Sequence, residues 1–375
     1  MKVAIIGGGI AGLTAAIALK RANIPFVIYE ASKVIKPVGA GIAIANNAMQ
    51  VYRHLGVSDA LSQKGMRISL IALTDMNLST LTQSDLSPFE EKYKLANIAI
   101  HRSTLHQILL NEIDMECIML NRRVERILKI ENGKYELIFT DKSKATHEYI
   151  IGADGIRSQT RKLIFGDFPL RDAHQVCWRG VLDFELPQKF RHLALEGWGR
   201  GKRFGFVQLD EKQVYWYFLI NEKKYQQAPD LSEHLYDCHF LVQEMIRKTD
   251  KEAIFKDKIY DLPLIKEWHK DNVCLIGDAA HATTPNLGQG ACQAIEDVYV
   301  ISKLLEQYSL AETFQRFSSI RCSKAHAIVR DSWRLGKMAQ WNSLVSITIR
   351  NKAFQLLPTV VKNKQMKAMF ELQKV

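Results

Sequence analysis

The chain has 375 residues, 47% hydrophobic and 24% charged. That is the balance of an ordinary folded protein, and the length predicts two domains with an appendage rather than one. No apolar run reaches the ~18 residues that a membrane-spanning helix needs, and no basic-then-apolar leader precedes the first apolar segment, so a cytoplasmic protein is expected. The formal net charge is +11, but eleven Lys and Arg face only Asp331 and Glu371 between residues 320 and 375. The basic character therefore belongs to the C-terminal tail, and no nucleic-acid partner is implied. The six cysteines form no CxxC pair and the histidines no HExxH, so buried thiols in a reducing compartment and no metal site are expected.

In chain order, Lys2–Ile6 reads as a buried strand, Ile10–Ala22 as a helix and Phe26–Glu30 as a second strand, a compact βαβ unit. Ala45–Leu55 is helical, and from Met66 to about Asn97 the texture changes to short strands and polar turns. Ser103–Asn111 has helical spacing. Cys117–Phe139 reads as strands joined by the turn signal Glu131-Asn132-Gly133. Tyr149–Ile151 is a short strand, and residues 174–220 are strand-rich, with Trp178-Arg179 on one strand and a hairpin from Arg203–Gln208 to Gln213–Leu219. Leu231–Arg247 is predicted helical, Val273–Ile276 a buried strand and Gly290–Leu305 a helix. Residues 309–375 read as wholly helical with a break at Pro358; Met338, Trp341, Val345 and Ile349 form one apolar stripe.

The fold class is α/β. A Rossmann-like unit over 1–65, 98–173 and 266–330 is interleaved with a strand-rich unit over 66–97 and 174–265, followed by a C-terminal helical extension over 331–375. Gly7-Gly8-Gly9-Ile10-Ala11-Gly12 satisfies GxGxxG between a strand and a helix. Gly7 permits the tight turn, Gly9 lets the backbone approach a pyrophosphate, Gly12 allows close packing, and the helix N-terminus, with Ala11 counted among the cofactor-binding residues, offers free N–H groups. Glu30 closes the second strand, where an acid hydrogen-bonds a ribose diol and repels a 2′-phosphate.

Two further turns repeat the logic of a strand delivering a carboxylate. Ile151-Gly152-Ala153-Asp154-Gly155 is the first. Leu275-Ile276-Gly277-Asp278-Ala279-Ala280-His281 is the second, followed by Pro285-Asn286-Leu287-Gly288-Gln289-Gly290 and a helix. That helix start can bring bare N–H groups to the negatively charged edge of a reduced flavin. His281 is as well explained by a local hydrogen bond as by a role in the site.

GxGxxG, GADG and GDAAH…PxxGQG in this order resemble the FAD-dependent aromatic hydroxylases, the single-component flavoprotein monooxygenases of the para-hydroxybenzoate hydroxylase type. The resemblance runs from Val3 to about residue 330. It implies that Gly7, Gly9, Gly12, Glu30 and Arg102 hold the ADP half and pyrophosphate of FAD. It further implies that Asp154 lies near the pyrophosphate, Asp278 takes the ribityl chain, and Pro285, Gly288, Gln289 and Gly290 surround the isoalloxazine. Lys36-Pro37-Val38-Gly39-Ala40-Gly41 is similar to the family's mobile region beside the flavin. NAD(P)H is implied as a transient co-substrate without a Rossmann site of its own. O₂ is implied to react at the flavin C4a, the hydroperoxide then passing an OH to a small aromatic substrate.

Within the family the texture is most similar to the urate, 6-hydroxynicotinate and salicylate hydroxylase branch. Urate hydroxylases use an Arg and a Tyr on adjacent strands, matched by Arg203 and Tyr215, and an acid where this chain has Asn286, which removes one charge from the pocket. Tyr217 shares the strand of Tyr215. These aromatics and Arg203 suit a planar, anionic aromatic substrate, and equally a plain sheet core. The alternative activity is a reductase or dehydrogenase of the same fold that does not use O₂ productively. A halogenase lacks support because Gly197-Trp198-Gly199 does not continue as GWxWxIP, and a flavin-binding regulator is the non-enzymatic alternative. A monomer or homodimer is expected. The basic C-terminal helices are read as packed on the FAD domain with a solvated outer face, in preference to a membrane contact.

Overall fold

The computed structural model describes residues 2–34 and 40–375; Lys36–Gly39 of the loop singled out in the sequence lie outside the described residues. Six strands form a central sheet in the order His269–Lys270, Val273–Leu275, Ile150–Gly152, Val3–Ile6, Phe26–Tyr29, Ile118–Met119. All its pairings are parallel except the outermost, His269–Lys270 with Val273–Leu275. Every residue of Val3–Ile6 and Phe26–Tyr29 is buried, because the sheet is covered on both faces. Val3, Ile5 and Ile28 pack with the helices Ile10–Arg21 and Gly290–Leu305. Ala4, Ile6, Val27 and Tyr29 pack instead on a three-stranded antiparallel layer, Val124–Lys129, Tyr135–Phe139 and Lys144–His147. The period-two alternation of a strand separates the two sets.

A second sheet has seven strands in the order Phe255–Asp261, Arg171–Asp183, Gln213–Asn221, Lys202–Gln208, Leu193–Trp198, Leu70–Thr74, Thr80–Asp85. Along Gln213–Asn221 the side chains Val214, Trp216, Phe218 and Ile220 pack with Leu241, Val242, Met245 and Ile246 of the helix Phe240–Lys248. Tyr215 and Tyr217 point to the opposite face, where Tyr215 meets Gly41 at the start of the strand Gly41–Ile44. The aromatics on the two faces of this strand thus belong to two different contacts.

Three segments differ from the sequence reading. Leu231–Arg247 is not one helix: a 3₁₀ turn covers Leu231–His234, and the helix runs only over Phe240–Lys248. The break is fixed from outside, by the His239 N–H donating to Met76 O at 2.8 Å while the His239 ring caps Leu241 N. Within 66–97, a short helix Ser87–Tyr93 carries Pro88 in its first turn, which its fixed φ suits, and it buries Phe89. The helix Leu310–Ala339 stops short of Trp341, so Met338, Trp341, Val345 and Ile349 do not share a helix. Its terminal carbonyls are taken by tertiary donors: Arg350 Nη1 reaches Met338 O and Ala339 O, Asn221 Nδ2 reaches Gln340 O, and Gly201 N reaches Trp341 O.

Candidate active site: a dinucleotide cleft beside a paired charge cluster

The turn after Val3–Ile6 is shaped by close approach. Gly7 sits at φ +106°, and a Cβ there would meet Ala153 O at 2.5 Å. At Gly12 a Cβ would lie 1.9 Å from Gly7 O, so only glycine lets helix and turn touch. At Gly9 a Cβ would meet nothing, and the helix Ile10–Arg21 has no side-chain cap on its first N–H groups. The first turn therefore opens on a cleft of about 350 Å³ lined by Gly7, Gly9, Glu30, Arg122, Asp154 and Arg157, among others.

Glu30 accepts the N–H of Gly8 and of Ser32, each at 2.8 Å. Burial alone would raise its carboxyl; those two N–H groups more than offset this and hold it below the usual carboxylate range, an anion at neutral pH. His106 Nε2 bonds Gly8 O at 2.8 Å and steadies the same turn. Asp154 accepts Ser158 Oγ, Thr160 N and Thr160 Oγ1, which starts the helix Gln159–Ile164. Sequence reasoning gave no role to His106, which reaches the turn from the helix Arg102–Asn111, or to Arg122, Arg123 and Arg157, because the start of the strand Val124–Lys129 and the loop after Gly155 are brought to the cleft only by the fold. A run of two arginines, Arg122-Arg123, ahead of a strand was the available signal.

Arg102 is exposed at the head of the helix Arg102–Asn111, and its charge reaches Asp278 and Tyr215. Gly277, at φ +58°, packs between Ala294 and Ala11, which explains a small residue at position 11. Its N–H donates to Asp297, whose carboxylate also bonds the His281 ring at 2.6 Å. His281 thus has the local role. Asp278 is exposed and accepts no hydrogen bond from the described residues. Enclosure by protein nevertheless raises its carboxyl above the usual value, opposed by His281 and Arg102.

Pro285–Leu287 forms a 3₁₀ turn, Gly288 follows at φ +62° with open space around it, and the helix Gly290–Leu305 begins. Gln289 turns inward, where its Oε1 accepts from Asn47 and Gln293. It supports the turn from behind, its side chain buried.

Across this turn, the second sheet presents a buried cluster. Arg203 donates to Glu196 at 3.1 Å, to Gln175 at 3.3 Å and to Asn286 Oδ1. Tyr217 OH donates to the other Glu196 oxygen at 2.6 Å, and Trp198 Nε1 to Oε1 at 2.7 Å. The Tyr217 hydroxyl passes over Gly205, where a Cβ would lie 2.4 Å from it. Burial first, and the Glu196 charge second, push the Tyr217 hydroxyl well above its usual value, so it stays a donor. Asn286 Nδ2 donates to Ser332 O at 2.7 Å and Thr284 Oγ1 at 2.8 Å. A carboxylate at 286 would face the Ser332 carbonyl without a proton, a physical reason for the amide. Gly336 makes the room: its Cβ would fall 2.1 Å from Asn286 Nδ2. Glu196, absent from the sequence reading, sits on Leu193–Trp198 directly opposite Gly205.

Among the described residues one trio offers metal-type ligand atoms close together, Asp172, His174 and Glu222. It is at the surface, and Glu222 is already paired with Lys258 at 2.5 Å.

An open helix start beside a ribose-directed anion, an accessible unpartnered carboxylate at Asp278 and the bare Gly288 turn fit the two halves of FAD. The fold and site define an FAD-dependent aromatic hydroxylase, an oxidoreductase. Residues 1–332 match the FAD binding domain family, and the chain belongs to it. It is 31% identical over 363 residues to aurachin C monooxygenase/isomerase of Stigmatella aurantiaca, covering 95% of this chain and 94% of that one. It is 30% identical over 379 residues to 2-heptyl-3-hydroxy-4(1H)-quinolone synthase of Pseudomonas aeruginosa, covering 99% and 98%. The crystal structure of Klebsiella pneumoniae HpxO complexed with FAD and uric acid superposes with a TM-score of 0.90 at 26% identity, covering 98% of this chain and 96% of that one.

Proposed function

We propose that this enzyme uses NAD(P)H and O₂ to hydroxylate an uncharged bicyclic heteroaromatic ring carrying an apolar substituent, a 2-alkyl-4-quinolone. The observation that carries the reading is the pairing of Arg203 with Glu196 and Asn286. A guanidinium already facing a carboxylate offers no net charge to an anion, and desolvating an anionic ring beside Glu196 would be costly. The quinolone named in a relative of nearly equal length supports the same class.

In this reading residues 1–65, 98–173 and 266–330 form the FAD-binding unit, 66–97 and 174–265 the substrate unit, and 331–375 the C-terminal extension. Bound FAD, reduced by NAD(P)H, supplies the activation of O₂. The protein supplies the rest. Glu30, the Gly7–Gly12 turn and Arg102 hold the ADP half, Asp278 binds the ribityl hydroxyls, and N–H groups around Gly288–Gly290 stabilise negative charge on the reduced ring. Tyr215 and Tyr217, with ring centroids 6.1 Å apart, offer aromatic surface to a planar substrate. Tyr217 keeps its proton on the hydroxyl, shared with Glu196, and the ordered cluster excludes water from that wall.

The test is NADH and NADPH oxidation by the FAD-loaded enzyme, with peroxide quantified, in the presence of 2-heptyl-4-quinolone, urate or simple benzoates. The quinolone is expected to accelerate oxidation while lowering peroxide per NAD(P)H. Coupled turnover of urate with no response to the quinolone would overturn the proposal.

Glu196→Gln keeps the shape of the cluster but leaves Arg203 without a counter-charge. Because Glu196 is partly accessible, about 1–3 kcal/mol of stability should be lost in urea denaturation. Peroxide leakage per turnover should rise, with FAD content unchanged.

A further inference from the structure

Between Leu344 and Gln355 the usual burial is inverted. The inward residue at mid-helix is Arg350, 2% exposed, its guanidinium 5.1 Å from the Trp198 ring centroid. Burial lowers its pKa to about 10, so it remains charged at neutral pH. Phe354, one turn on, meets the edge of the same ring at 5.2 Å. The outward arc instead carries Leu344, Val345, Ile349 and, just past the helix end, Leu356, which are 66%, 70%, 62% and 80% exposed. At 100° per residue Lys352 falls in the middle of that arc. Beyond Pro358, the helix Thr359–Phe370 buries Met366 and Phe370 beside Phe89 and leaves Val360 78% exposed, with Lys364 and Lys367 on the same side.

Single exposed apolar residues are ordinary. Five of them on consecutive helices, with an arginine taking the interior, make a face that fits a partner. Charge selects the partner. Between Leu344 and Phe370 there is no Asp or Glu, and Lys352, Lys364 and Lys367 are exposed, so a second copy seated face to face would oppose two cationic surfaces. An anionic bilayer satisfies both features, taking Leu, Val and Ile into the headgroup–acyl boundary and lysines at phosphate level. We infer that the helices Leu344–Gln355 and Thr359–Phe370 dock this enzyme onto an anionic phospholipid surface. It lies on the membrane by this face, since no described helix is long and apolar enough to cross one. The inner side of the first of these helices rests on Trp198, hydrogen-bonded to Glu196, so the docked face roofs the wall formed by Arg203 and Tyr217.

The test is co-sedimentation of the FAD-loaded full chain with vesicles of phosphatidylcholine alone or mixed with phosphatidylglycerol. Binding is expected to the mixed vesicles, weakened by salt, and little to phosphatidylcholine alone. A Val345→Asp, Ile349→Asp, Leu356→Asp variant should lose at least tenfold in vesicle partitioning while keeping its FAD and its NAD(P)H oxidation rate. Replacing Lys352, Lys364 and Lys367 by Gln should weaken partitioning roughly fivefold per lysine. Absent or equal binding to both vesicle types would overturn the inference. So would a dimer in light scattering that the triple Asp variant dissociates, which would make the face a self-interface.

Discussion

Arg321→Leu should cost about 3–5 kcal/mol in urea denaturation, the largest stability loss expected of any substitution considered. Arg321 is wholly buried and donates to Asp297 at 2.8 Å, to Glu296 at 3.2 Å and to Gln293 Oε1 at 2.8 Å. Its removal leaves two buried carboxylates with one cationic partner between them, Lys324, which bonds Glu296 at 2.7 Å, and otherwise neutral donors such as Asn47 and the Gly277 N–H, with the His281 ring on Asp297. The effect should reach the cofactor site, since Asp297 also holds the Gly277 N–H. FAD retention on gel filtration should therefore fall as well. The pH dependence has a definite sign. Burial alone would raise the Asp297 carboxyl, but His281 and Arg321 more than offset this and hold it below the usual aspartate value. Its contribution is complete above the unfolded aspartate pKa of about 3.9 and is lost as pH falls through the lower folded value. A wild-type stability that is flat from pH 7 through pH 3 would contradict this account, as would an Arg321→Leu enzyme as stable as wild type.

Gly12→Ala should abolish FAD binding, with a loss in affinity on the order of a hundredfold or more. The added methyl would sit 1.9 Å from Gly7 O, a contact that no side-chain rotation relieves because both partners are backbone. The helix Ile10–Arg21 must back away from the turn, and its first N–H groups then miss the pyrophosphate. The protein should purify without flavin absorbance while retaining wild-type far-ultraviolet circular dichroism. A yellow, stoichiometrically loaded variant would refute the packing argument.

The turns proposed to hold the cofactor were legible in the sequence for a physical reason. Gly7, Gly9, Gly12 and Glu30 act within one βαβ unit, where turn geometry, helix start and strand end are all set by neighbours along the chain. The same holds for Gly288 and the helix Gly290–Leu305. The wall carrying Arg203 was only half legible. Arg203, Tyr215, Tyr217 and Asn286 were readable as residues. Glu196, which fills the valence of both Arg203 and Tyr217, was not, because a strand glutamate has no local signature and its partners come from cross-strand register.

The sequence by itself determined the α/β class, the dinucleotide turn with its acid and the flavin-type turn, because those depend on backbone conformations available to few residue types at short separations. Only the tertiary structure decided three things. Arg203 is spent on Glu196, which neutralises it across a strand pair, and on Gln175 and Asn286, the last of them 83 residues away along the chain. The helix Leu310–Ala339 goes no further, because Arg350 and Asn221 compete for the carbonyls at its end. The apolar side of the following helix faces outward, because Trp198 takes the cation and the phenyl ring of the other side. Helical periodicity locates an apolar stripe, but what lies against it depends on which elements the rest of the chain brings there.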